Sequence, residues 1–105
     1  MNKKKYPIIV LISGNGSNLQ AIIDFIDLTN SVVYISAVIS NNPNAYGLER
    51  AKQANIPTEI INHQDYPSRV DFDHILQLKI QKYPYQLIVL AGFMRILTEQ
   101  FVSQF

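Results

Sequence analysis

Residues Ile8, Ile9, Val10, Leu11 and Ile12 run without a polar interruption and then stop at "SGNGSN". A strand with one wet face alternates apolar and polar residues. An unbroken apolar, β-branched run instead reads as a strand buried on both faces, as in the middle of a parallel sheet covered by helices. Immediately after the glycine turn, Leu19, Ile22, Ile23 and Ile26 recur at the spacing of one helix face. Strand, glycine turn and helix form a first unit, and a parallel sheet requires the rest of the chain to supply further strands joined by crossovers.

The remaining sequence supplies them. Val32 to Ile39 reads as a second buried strand, closed by Ser40, Asn41, Asn42 and Pro43, with a second helix over Ala45 to Ala54. Thr58 to Ile61 reads as a short third strand. The loop "NHQDYPSR" leads into a third helix, where Phe72, Ile75, Leu76 and Ile80 share a face and Pro84 marks the end. "QLIVL" at 86–90 is a fourth strand, followed by "AGFMRIL". Strands alternating with helices predict one α/β domain over residues 1–105, a doubly wound, Rossmann-like parallel sheet in the order 3-2-1-4. In such sheets ligands bind beyond the carboxyl ends of the strands where the order reverses, here between the first and fourth. "SGNGSN" and "AGFMRIL" are therefore expected to meet in space.

Bulk properties narrow the function. A length of 105 residues suits one core and falls short of most enzymes with two substrates. The formal charge is +1, and the one basic cluster, Lys3 to Lys5, is read as a solvated tail, so neither nucleic acid nor a membrane surface is expected as a partner. With no cysteine there is no thiolate metal site and no disulfide framework, and a cytoplasmic location is expected. His63 and His74 lack the spacing of metal ligands, so no metal is expected. Asp71 and Asp73 are read as carboxylates complementing the dipole of the third helix in its first turn. The Pro7–Ile12 run is too short to cross a bilayer, and no small-residue cleavage site follows it.

The turn at 13–18 has two readings. Gly14 and Gly16 let a ligand approach the backbone, and the start of a helix offers unpaired N–H groups to a phosphate; alternatively it is a tight connection in which Ser17 or Asn18 caps the helix. A dinucleotide does not fit, because Leu19 stands where the fingerprint needs a third glycine, and no Asp or Glu occurs between Asp27 and Glu49 to hold a ribose. A Walker loop is absent, since no Gly-Lys-Ser/Thr follows. A small phosphorylated metabolite remains. Met94, Ile96 and Leu97 could line a flat slot for a heterocycle or could be core, and Arg95 could lie on the surface. Arg69 could hold a carboxylate or be an ordinary exposed arginine at a helix start.

Taken together, "VLISGNGSNLQAII", "VISNN", "YGLERAKQANIPT", "SRVDFD" and "LIVLAGFMRILTEQFVSQF" resemble the N-terminal half of the glycinamide ribonucleotide formyltransferases of purine synthesis. The resemblance covers nearly the whole chain from Ile8. It implies transfer of a formyl group from 10-formyltetrahydrofolate, the cosubstrate, to the amine of glycinamide ribonucleotide. Gly16, Ser17 and Asn18 match family positions that bind the substrate phosphate, and Gly92 one close to the reacting amine. Arg69, Leu90, Met94, Arg95, Ile96, Leu97 and Val102 match positions of the folate pocket.

The family's catalytic asparagine and histidine, in an "NIHPS"-type segment, and its later aspartate do not occur in the 105 residues. The expectation is a formyltransferase fold truncated before the catalytic segment, inactive alone. The fourth strand would then be an apolar edge, through which homo-oligomers or self-association are expected. Formyltetrahydrofolate hydrolysis and a non-catalytic phosphate-binding module are the alternatives. A smaller departure is Gln86, where the family usually has an acid.

Overall fold

The structure, a computed structural model, describes residues 5–66 and 68–93. Its elements are β1 (Tyr6–Ile12), α1 (Ser17–Thr29), β2 (Val33–Ser40), α2 (Gly47–Gln53), β3 (Thr58–Ile60), a 3₁₀ turn at His63–Asp65, α3 (Arg69–Ile80) and β4 (Leu87–Leu90). The sheet has the order β3-β2-β1-β4, and every neighbouring pair is parallel. This is the doubly wound arrangement expected from the sequence. α2 is shorter than the expected Ala45–Ala54, because Ala45 precedes its N-cap Tyr46 and Ala54 is its C-cap.

β1 explains the packing. Its residues 8 to 12 are all buried, and alternate side chains enter opposite cores. Ile8, Val10 and Ile12 pack with Leu19 and Ile23 of α1 and with Leu48 and Ala51 of α2. Ile9 and Leu11 pack with Phe72, Leu76 and Ile80 of α3. Helices on both faces make a continuous apolar strand the stable choice, each fully buried Ile or Leu contributing roughly 1.5–3 kcal/mol. α1 ends at Asn30, which adopts the left-handed conformation at φ 49° and returns its N–H to the Ile26 carbonyl.

β2 contains an irregularity that its apolar pattern does not announce. Ile8 pairs with Ile35 but Ile9 with Ala37, so Ser36 is an extra residue in the ladder. Its buried hydroxyl donates to the Pro84 carbonyl at 2.6 Å, with the Ile8 carbonyl at 3.3 Å. The bulge thus ties β2 to the segment that delivers β4.

At the other edge, Glu59 of β3 is held by α3 and the turn after it. Lys79 lies 3.2 Å and Lys82 3.0 Å from its carboxylate, which also accepts from the Tyr83 hydroxyl. Burial alone would raise the Glu59 pKa, but hydrogen bonds from Tyr83, Lys82 and Lys79, with the Lys79 charge, outweigh it and lower the value from 4.5 to about 2. The same bond to Glu59, then burial, raises Tyr83 from 10.0 to about 12. These two shifts are two views of one contact and do not add.

Asp73 departs from its expected role. Only Asp71 lies in the first turn of α3, where Ser68 caps the helix by accepting from the Asp71 N–H at 3.4 Å. Asp73, the fifth helical residue, is buried and only 4% exposed, so it cannot be read as a solvated partner of the helix dipole.

Candidate functional site

The turns after β1 and β4 meet, as the strand order requires. Ser13, Gly14, Asn15, Gly16, Ser17 and Asn18 line one side of an open cleft of about 230 Å³, and Ala91 and Gly92 line the other. β1 and β4 are adjacent in the sheet, with Leu11 paired to Leu90. The Ala91 N–H donates to the Leu11 carbonyl at 2.9 Å, which brings the two loops together at the same end of the sheet.

The start of α1 fits an anion. Gly16 is the N-cap residue, at φ +81°, and no side chain caps the helix. Ser17 and Asn18 are instead its first two helical residues, so the capping role considered for them is not the one they occupy. The first intrahelical bond runs from the Gln20 N–H to the Gly16 carbonyl at 2.8 Å, which leaves the amides of Ser17, Asn18 and Leu19 without an intrahelical acceptor. No acid lies in the first turn to compete with a bound anion for the positive end of the dipole.

The glycines divide their roles. A Cβ on Gly16 would sit 2.6 Å from the Gly47 Cα, and one on Gly47 would sit 2.5 Å from the Ile12 Cδ1 and 3.2 Å from the Gly16 Cα. Gly16 is therefore required by its backbone conformation and by the close passage of α2. Among the described residues a Cβ on Gly14 would meet nothing within 4 Å, so its side of the turn is open there. Among the described residues a Cβ on Gly92 would likewise meet nothing, and its φ of +75° favours glycine for conformation alone.

Sequence reading missed Gly47 and Arg50. The Gly47 N–H donates to the Gly14 carbonyl at 3.1 Å. Arg50 donates from Nε to the Asn15 carbonyl at 2.8 Å and from Nη2 to the Asn15 Oδ1 at 2.6 Å, while its guanidinium carbon lies 4.9 Å from the Tyr46 ring centroid. The available signal for Gly47 was a glycine inside the Ala45–Ala54 stretch read as the second helix, of the kind that permits close approach of another backbone.

The other site residues are placed differently. Arg69 opens α3 with its side chain exposed and does not line the cleft. Leu90, at the end of β4, is 54% exposed and directly precedes Ala91, but like Arg69 it does not line the cleft. Met94, Arg95, Ile96, Leu97 and Val102 lie outside the described residues. Among the described residues no group of three or more His, Cys, Asp and Glu side chains could hold a metal ion, and no helix is long and apolar enough to cross a membrane.

Known proteins agree with this geometry. The chain is 49% identical over 98 residues to the phosphoribosylglycinamide formyltransferase of Escherichia coli, covering 93% of this chain and 46% of that one. It is 48% identical over 102 residues to the human trifunctional purine biosynthetic protein adenosine-3, covering 97% of this chain and 10% of that protein. The solved phosphoribosylglycinamide formyltransferase of Coxiella burnetii superposes with a TM-score of 0.90 at 58% identity, over 95% of this chain and 47% of that one. The chain thus spans about half the length of these bacterial relatives. Residues 6–105 match the family described as Formyl transferase, and the chain belongs to that family.

Proposed function

We propose that this chain forms the phosphate-binding part and a portion of the folate-binding part of a phosphoribosylglycinamide formyltransferase. The observation that carries the reading is the cleft in which Gly16, Ser17 and Asn18 face Gly92 across the β1/β4 switch point. The amides at the start of α1 hold the phosphate of glycinamide ribonucleotide, and the sugar and amine extend toward Gly92, whose open backbone leaves room for them. Leu90, with Met94, Arg95, Ile96, Leu97 and Val102, takes the pteridine of 10-formyltetrahydrofolate, and Arg69 engages the same cosubstrate.

10-Formyltetrahydrofolate supplies the formyl carbon. The substrate amine would attack that carbon, and collapse of the resulting tetrahedral adduct would break the bond to the folate nitrogen and release tetrahydrofolate. This requires donors for the oxyanion and a carrier for the proton that the amine loses and the folate nitrogen gains. The residues of this chain bind and orient. Fixing the phosphate at one end of the cleft places the amine at the other, which is the positioning contribution to the rate. The asparagine, histidine and aspartate to which the family resemblance assigns the chemistry are not among these 105 residues. Tested by itself, the chain is expected to bind without turning over.

Calorimetric titration tests the reading. Glycinamide ribonucleotide is expected to bind, and the corresponding dephosphorylated riboside to bind at least tenfold more weakly, since charge-assisted bonds to phosphate contribute on the order of 1.5–3 kcal/mol. Equal affinity for the two would overturn the phosphate assignment. Release of formate from 10-formyltetrahydrofolate without glycinamide ribonucleotide would favour the hydrolase alternative.

A further inference from the structure

We infer that Arg50 is a positioning residue for the proposed phosphate site: by gripping Asn15 from the α2 side, it turns the amides of the 13–18 turn toward the cleft. This inference rests on the phosphate reading of that turn. The geometry behind it is a matter of peptide orientation. In a trans peptide the carbonyl and the following N–H point in opposite directions. The Gly14 carbonyl is taken by the Gly47 N–H at 3.1 Å, so the Asn15 N–H points away from α2. The Asn15 carbonyl is taken by Arg50 Nε at 2.8 Å, so the Gly16 N–H points away from α2 as well.

The strand order says where that is. α2 packs against β2 and β3, on one side of the turn, while Ala91 and Gly92 follow β4 on the other. Withdrawing both carbonyls toward α2 removes partial negative charge from the cleft and leaves successive amides facing it, continuous with those that open α1. Such a row of N–H groups is an anion-binding concavity.

Arg50 itself does not line the cleft, so it acts through Asn15 and not on a ligand directly. Its fork is bidentate, using the backbone carbonyl and the side-chain Oδ1 of one residue, at 2.8 and 2.6 Å. Nη1 lies 3.4 Å from Gln20 Oε1 of α1, and the Tyr46 ring stacks near the guanidinium. The planar guanidinium is thus held on several sides. A lysine carries the same charge but lacks the fork and the stack.

The test compares Arg50→Met and Arg50→Lys in the full 105-residue chain, using ribose 5-phosphate as the probe. Residual dipolar couplings of the ligand-free protein read the N–H directions of Asn15 and Gly16, and a titration reads affinity. Both variants are expected to reorient those two vectors, leave those of Val10 and Leu11 unchanged, and bind ribose 5-phosphate roughly tenfold more weakly. Unchanged Asn15 and Gly16 vectors in Arg50→Met would overturn the inference. So would full affinity in Arg50→Lys, which would mean that charge alone suffices. If Arg50→Met does not fold, the same couplings in Arg50→Lys decide the matter. Failure of the unsubstituted chain to bind ribose 5-phosphate would overturn the phosphate reading, and the ligand-free vectors would still decide whether Arg50 orients the turn.

Discussion

At the scale of single residues, the turn after β1 separates two demands that a glycine-rich loop usually mixes. Gly16 answers to the fold: a methyl there would meet the Gly47 backbone at 2.6 Å from a left-handed conformation. Gly16→Ala is expected to destabilise the chain by about 2–4 kcal/mol, measured by urea unfolding, because overpacking and backbone strain combine. Gly14 answers to whatever enters the cleft, since among the described residues a Cβ there would meet nothing within 4 Å. Gly14→Ala is expected to unfold within about 0.5 kcal/mol of the parent while weakening binding of glycinamide ribonucleotide. A large stability loss in Gly14→Ala, or an unchanged one in Gly16→Ala, would reverse this division. The glycines themselves were legible from the sequence, and so was the meeting of their turn with Gly92. The reason Gly16 must be glycine was not, because it depends on Gly47, thirty-one positions away in the chain and brought near only by the packing of α2.

At the scale of elements, strand and helix periods were readable because burial on both faces leaves an apolar run in β1 and an apolar stripe on α1. Features made by one polar side chain were not. Ser36 looks like an ordinary interruption of β2, yet its hydroxyl anchors a bulge to Pro84. Ser36→Ala is expected to cost about 1 kcal/mol. Glu59 looks like a charge on a short edge strand, yet it joins β3 to α3. Because its folded pKa lies below 4.5, this contribution is complete above pH 4.5 and is lost as pH falls toward about 2. Tyr83, raised above 10.0, works in the opposite sense: its contribution is complete below pH 10.0 and is lost as pH rises through about 12. The Lys82 side chain is 55% exposed, so solvent screening discounts its share. Glu59→Gln is therefore expected to lower stability at neutral pH by about 1 kcal/mol and to flatten the acid limb of a stability-against-pH curve. An acid limb of the parent's steepness in Glu59→Gln would show that the carboxylate is not the group responsible.

At the scale of the whole molecule, β4 is an edge strand of the described sheet, with Leu87 50% and Leu90 54% exposed. Unpaired backbone groups beside apolar side chains are a template for strand pairing. Sedimentation velocity is expected to show self-association of the 105-residue chain between micromolar and millimolar concentration, reduced by Leu87→Lys. A constant monomer mass over that range would contradict it. The architecture follows from burial and chain connectivity, and the location of the cleft follows from the architecture; which molecule fills the cleft is a matter of its amides and open glycines. The most direct test is therefore a titration of the uniformly labelled chain with glycinamide ribonucleotide, followed by ¹H–¹⁵N correlation spectra. The largest, saturable shifts are expected at the amides of Asn15, Gly16, Ser17, Asn18 and Gly92. Saturable shifts centred on another surface, or no shifts at millimolar ligand, would contradict it.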